Sequence, residues 1–116
     1  MAKKYDWHKI AETKDELQVS EKNAISIEAA GKKMCLAKFN SQLYACAHKC
    51  PHAGGLLEEG WVDALGNIVC PLHRYKFSLE KGRNTSGEGY YLKTYPIEER
   101  TDGIYVGIET GGFLNW

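Results

Sequence analysis

The sequence predicts an all-β, antiparallel fold, and three features carry that expectation. Short apolar runs alternate with polar residues along most of the chain, the pattern of half-buried strands. Turn signals at Asn40-Ser41 and Thr101-Asp102-Gly103 fall between such runs and predict tight hairpins. Only residues 11–17 carry a helical hint, and it is weak.

In chain order, strands are expected at residues 7–11, 24–27 and 33–39. Asn40-Ser41 then turns the chain into a strand at 42–47. Residues 67–69 form a short apolar strand, and 75–79 a further one that ends in the turn Glu80-Lys81-Gly82. The closing hairpin pairs 94–98 with 103–108. The tail 111–116 reads as peripheral, with Phe113 and Trp116 able to pin it to the body or to a partner.

At 116 residues, with no linker, repeat or low-complexity tract, the chain reads as one domain over 1–116. Fifteen basic residues balance fifteen acidic ones, so nothing argues for nucleic acid or a membrane surface as partner. The N-terminal residues lack an apolar h-region and a twin-arginine pair, and no run approaches the roughly eighteen apolar residues of a span. These features predict a soluble, cytoplasmic protein.

The chemistry concentrates in two short motifs. Cys50-Pro51-His52 and Cys70-Pro71-Leu72-His73 stand seventeen residues apart. Two thiolates and two imidazoles in that order are the donor set of a [2Fe–2S] cluster with a split ligand field, sulfur on one iron and nitrogen on the other. Each pair must then sit on its own tight loop, the two loops facing across the cluster.

Cys46-Ala47-His48 is a competing C-x-H pair. Three features favour Cys50 and His52 over it. Pro51 follows Cys50 as Pro71 follows Cys70, so the two loops are chemically matched. Gly54-Gly55 after His52 permits positive φ and close approach of backbone N–H groups to sulfur. Cys46 ends an apolar run, Leu43-Tyr44-Ala45-Cys46-Ala47, that reads as a strand, where cysteine acts as a small buried hydrophobe.

Other uses of the motif fit less well. A zinc-stabilised interaction module accepts two cysteines and two histidines, but zinc fingers pair cysteine with cysteine and histidine with histidine. A Cys50–Cys70 disulfide calls for an oxidising compartment that nothing in the sequence supports. A Cys–His nucleophile leaves the second pair unexplained. His8 and His48 are the remaining histidines, and no second constellation resembling an oxygenase iron site with two histidines and a carboxylate is evident.

The stretch from Cys50 to Gly55, the Cys70–His73 motif, Leu43-Tyr44-Ala45, Glu58-Glu59-Gly60 and residues 75–82 together resemble the Rieske iron–sulfur signature. The likeness runs from about Trp7 to Ile108. It implies an antiparallel β-sandwich or barrel with a cluster-binding subdomain of two ligand loops, at about 46–60 and 68–80. Cys50 and Cys70 would bind the inner iron, and His52 and His73 the outer, solvent-facing one. The family's high-potential members bridge their ligand loops with a disulfide, at positions that are Gly55 and Leu72 here. They also place serine and tyrosine hydroxyls against the cluster where this chain has Tyr75 and Phe77. The resemblance is therefore to the low-potential branch: the ferredoxins of ring-hydroxylating dioxygenases and the small subunit of assimilatory nitrite reductase. It implies a non-catalytic electron carrier with one [2Fe–2S] cluster. Its partners would be a flavoprotein reductase and a terminal oxygenase, or a nitrite reductase large subunit. Arg74 replaces a glycine common in relatives and leans toward the nitrite reductase comparison.

Lys49 precedes the first motif, and Arg74, Lys76, Lys81 and Arg83 follow His73 with only Glu80 against them. They read either as a solvated strand and turn or as a basic rim for an acidic partner, with Glu58 and Glu59 restricting its orientation.

Overall fold

The structure, a computed structural model, describes residues 4–51, 54–87 and 89–110. Its strands are β1 (Tyr5–Ala11), β2 (Ala24–Ala29), β3 (Lys32–Phe39), β4 (Gln42–Ala47), β5 (Trp61–Val62), β6 (Asn67–Val69), β7 (Lys76–Ser78), β8 (Thr94–Tyr95), β9 (Ile97–Arg100) and β10 (Gly103–Glu109). They form three sheets in the orders β1-β10-β9, β2-β3-β4-β8 and β5-β6-β7, with every pairing antiparallel.

The second sheet is the middle layer, and its composition says why. Met34, Cys35, Leu36 and Ala37 of β3 are consecutive and all fully buried, so both faces of this strand are covered. Because side chains alternate across a strand, Met34 and Leu36 join Leu43 and Ala45 in a core shared with Ile104 and Val106 of β10. Cys35, Ala37 and Cys46 point the other way, into a second core with Leu57, Ile68 and Phe77. The Leu, Ile, Val, Met and Phe side chains among them each contribute roughly 1.5–3 kcal/mol when fully buried.

The β3–β4 hairpin forms as expected. Asn40 and Ser41 both take positive φ, 52° and 65°, which suits the twist of a two-residue turn. Glu21 reaches across to accept both of their backbone N–H groups. The expected strand at 94–98 is instead two strands. Proline has no N–H to give a ladder, and at Pro96 the chain leaves its pairing with β4 and takes up pairing with β10. The helical hint at 11–17 amounts to one 3-10 turn, Asp15–Leu17. The tail 111–116 lies outside the described residues.

Candidate metal centre

Two loops of matching build project from the β5-β6-β7 layer and its neighbour. In the first, the Cys50 N–H donates to the Gly55 carbonyl at 2.8 Å, and the Gly54 N–H donates back to the Cys50 carbonyl at 2.9 Å. In the second, the Cys70 N–H donates to the Tyr75 carbonyl at 2.8 Å. Each cysteine thus starts a loop that closes five residues later. Cys50 and Cys70 are both buried, and the Cys50 thiol lies beside that of Cys70. Burial pushes the Cys70 thiol up, the Leu72 N–H bonded to it pulls down, and Cys50 beside it adds to the rise.

His73 is exposed at the turn of the second loop. It and Arg74 have φ of 62° and 58°, the left-handed region that costs a non-glycine residue roughly 1–3 kcal/mol. The surrounding hydrogen bonds hold that conformation at the point where an imidazole is presented outward. His52 lies outside the described residues.

Two glycines set how closely the parts approach. A Cβ on Gly55 would stand 3.1 Å from both Cys70 Sγ and Leu72 Cγ, so the positions that carry a disulfide in the high-potential relatives do face each other here. A Cβ on Gly60 would lie 1.9 Å from the Val69 carbonyl oxygen, which only glycine permits. Gly60 ends the 3-10 turn Leu57–Glu59 and lets that turn press against the strand leading into Cys70.

Cys46 belongs to neither loop. It is paired in register with Cys35 across β3 and β4, and both are fully buried. Its hydrogen bond to Cys35, followed by burial, holds the Cys46 thiol well above its ordinary range. His48 is half-buried, its carbonyl accepting the Leu57 N–H at 2.9 Å. All four cysteines are free thiols.

The expected basic residues are not equivalent. Lys49, Arg74, Lys81 and Arg83 are exposed, but Lys76 is half-buried and lies 3.8 Å from the Asp63 carboxylate. Glu59 is exposed, whereas Glu58 is half-buried with Oε1 shut off from water. Sequence reasoning missed the exposed aromatics Trp61, Tyr90 and Tyr91, of which Tyr90 reaches His73 through the Tyr75 ring. A cleft of about 340 Å³ lined by Tyr5, Tyr44, Lys93, Tyr95 and Glu109 contains none of the candidate ligands.

The described part of the donor set fits a two-iron cluster. Two buried thiols stand side by side, with a backbone N–H directed at one sulfur and an imidazole at the exposed edge. A two-iron cluster divides its four ligands between separate irons.

Comparison with known proteins agrees with this geometry. The model of the Rieske [2Fe-2S] domain matches residues 6–96. The ferredoxin component of the naphthalene 1,2-dioxygenase system of Pseudomonas aeruginosa is 26% identical over 92 residues, 78% of this chain and 88% of that protein. A chain from the complex of reduced oxygenase and oxidized ferredoxin in carbazole 1,9a-dioxygenase superposes with a TM-score of 0.74 at 23% identity, covering 87% of this chain and 92% of that one. The putative NADH-dependent nitrite reductase small subunit of Mycobacterium tuberculosis gives 0.75 at 18% identity, covering 90% and 96%. With most of its length matched by that domain and a fold shared with these proteins, the chain belongs to the Rieske [2Fe–2S] family.

Proposed function

We propose that this protein is a one-electron carrier whose single [2Fe–2S] cluster is held by Cys50 and Cys70 on the inner iron and by His52 and His73 on the outer. The observation that carries the reading is the buried Cys50–Cys70 thiol pair on two equally closed loops. When bound, the cluster supplies one-electron chemistry at a potential above that of an all-cysteine cluster, because neutral imidazoles replace two thiolates.

The chain's own residues do the rest. Leu57, Ile68 and Phe77, all fully buried, keep water from the cysteine side. The Leu72 N–H bonded to Cys70 stabilises negative charge on that sulfur. His73, exposed on its loop, is the edge that a partner can touch. No substrate pocket is needed, and the protein acts as a redox component of a larger system.

Its partners are a flavoprotein reductase that supplies electrons and a terminal oxygenase that takes them, both in the cytoplasm. The naphthalene dioxygenase ferredoxin relative supports this choice. The near-complete overlap with a nitrite reductase small subunit supports a second reading, a subunit fixed to a nitrite reductase large subunit.

The test begins with the iron-loaded protein. The reduced form should show the rhombic electron paramagnetic resonance signal of a mixed histidine–cysteine cluster and should take up one electron per chain. A colourless protein that binds zinc and no iron would overturn the reading in favour of an interaction module. Stable co-elution with a large siroheme protein selects the second reading; turnover with an oxygenase after dilution selects the first.

A further inference from the structure

Two tyrosine rings follow the His73 imidazole in a row. The Tyr75 ring lies 6.4 Å from the His73 imidazole, centroid to centroid, at a tilt of 54°. The Tyr90 ring lies 6.3 Å beyond Tyr75, at 34°. Both separations fall within the range in which aromatic pairs attract.

Each ring is placed by backbone devices. The left-handed residues His73 and Arg74 reverse the chain, which returns Tyr75 to the side of His73, and the Cys70 N–H fixes the Tyr75 carbonyl. Tyr90 arrives from a distant segment that is tied to the start of β7. The Lys76 N–H donates to Ser86 Oγ at 3.0 Å, Asn84 Nδ2 donates to the Lys76 carbonyl at 3.1 Å, and the Gly89 N–H donates to Asn84 Oδ1 at 3.0 Å. Tyr75 is half-buried between the exposed His73 and Tyr90, which is 42% exposed.

An exposed imidazole has a broad torsional well about its ring bond. A ring packed against it narrows that well, and a second ring behind the first keeps it there.

We propose that Tyr75 is a positioning residue for His73 and that Tyr90 props Tyr75, the two together fixing the plane of the imidazole at the outer edge of the cluster. The proposal rests on the electron-carrier reading above. The tyrosines hold no electron themselves: one electron enters from the donor, one leaves to the acceptor, and both phenols keep their protons.

The test compares iron-loaded wild type, Tyr75→Ala, Tyr75→Phe and Tyr90→Ala. The readouts are the resonance spectrum of the dithionite-reduced protein and the half-life of the cluster in a ferrous-iron chelator. Tyr75→Ala should broaden the resonance lines, because the imidazole no longer holds one plane, and shorten the half-life roughly tenfold, the scale on which supports of metal ligands act. Tyr75→Phe should restore both, and Tyr90→Ala should move both in the direction of Tyr75→Ala by less. Wild-type lines and half-life in Tyr75→Ala overturn the proposal, as does a Tyr75→Phe protein that behaves like Tyr75→Ala. If Tyr75→Ala does not load iron, Tyr90→Ala decides: broadened lines support the proposal and unchanged lines overturn it. A wild type without the mixed-ligand signal overturns the electron-carrier reading and this one with it. A normal wild-type signal with unmoved variants overturns this one alone.

Discussion

Cys46 and Cys50 are four positions apart, yet one lies within a strand and the other opens a loop. Cys46→Ala should leave the cluster absorption intact and cost about 1–2 kcal/mol for the small cavity it leaves. Cys50→Ala, Cys70→Ala, His52→Ala and His73→Ala should each abolish the native visible spectrum, and His48→Ala should not. A bleached His48→Ala protein that still folds would overturn the ligand assignment. Part of this was readable from sequence. A two-residue turn at Asn40-Ser41 fixes the hairpin register, and that register sets Cys35 opposite Cys46. The aromatic row beside His73 was not readable, because Tyr90 reaches Tyr75 through contacts that no local pattern reports. Phe77 carries a second prediction at this scale. It is fully buried in the same core as Cys50 and Cys70, and it offers no hydroxyl. With no disulfide at Gly55 and Leu72 either, the midpoint should lie toward the low end of the Rieske range, roughly −150 mV. Protein-film voltammetry checks this, and Phe77→Tyr should raise the value by giving a cysteine sulfur a hydrogen bond.

One carboxylate, Asp63, closes the turn between β5 and β6. Asp63 Oδ1 accepts the backbone N–H groups of Leu65 and Asn67 at 2.9 and 3.0 Å, and Oδ2 accepts the Asn67 side chain at 3.1 Å. Burial pushes the Asp63 carboxyl up, but these donors, with Lys76 nearby, hold it below its usual value. A carboxyl whose folded value is depressed stabilises the fold above the unfolded value, near 3.9. That contribution is lost as pH falls through the depressed one. Asp63→Ala should cost roughly 1–3 kcal/mol, since it strands donors of the buried Asn67. Asp63→Asn should keep part of the turn yet flatten the acid limb of stability against pH, measured by chemical denaturation between about pH 5 and 2. An unchanged acid limb would remove the carboxylate from this role. The elements themselves were legible where they are long and alternating, as in β3 and β4. They were not where the chain changes sheets at Pro96, or where β5, Trp61–Val62, is too short to show a period.

On the scale of the molecule, three sheets stack so that the middle one serves two cores, and that arrangement was not visible beforehand. From sequence β3 reads as a strand, and only the fold shows that both of its faces are covered, and by which strands. The same holds for charge. The chain is neutral in sum, and only the fold decides which lysines and arginines stand free at the ligand end. Lys76 is engaged with Asp63, while Lys49 and Arg74 are exposed on either ligand loop, next to Cys50 and His73. If these two steer an acidic partner surface, they act on encounter rate, and ionic strength should weaken them over a Debye length of about 8–10 Å near physiological salt. The measurement is the rate of reduction by the cognate reductase across a salt series for wild type, Lys49→Glu, Arg74→Glu and Lys76→Glu. Wild type should slow as salt rises. Lys49→Glu and Arg74→Glu should be slow at low salt and converge on wild type at high salt. Lys76→Glu should act mainly on stability, because it sets a second carboxylate beside Asp63. Equal rates for all four proteins at every ionic strength would mean that the reductase finds the exposed histidine edge without help from charge.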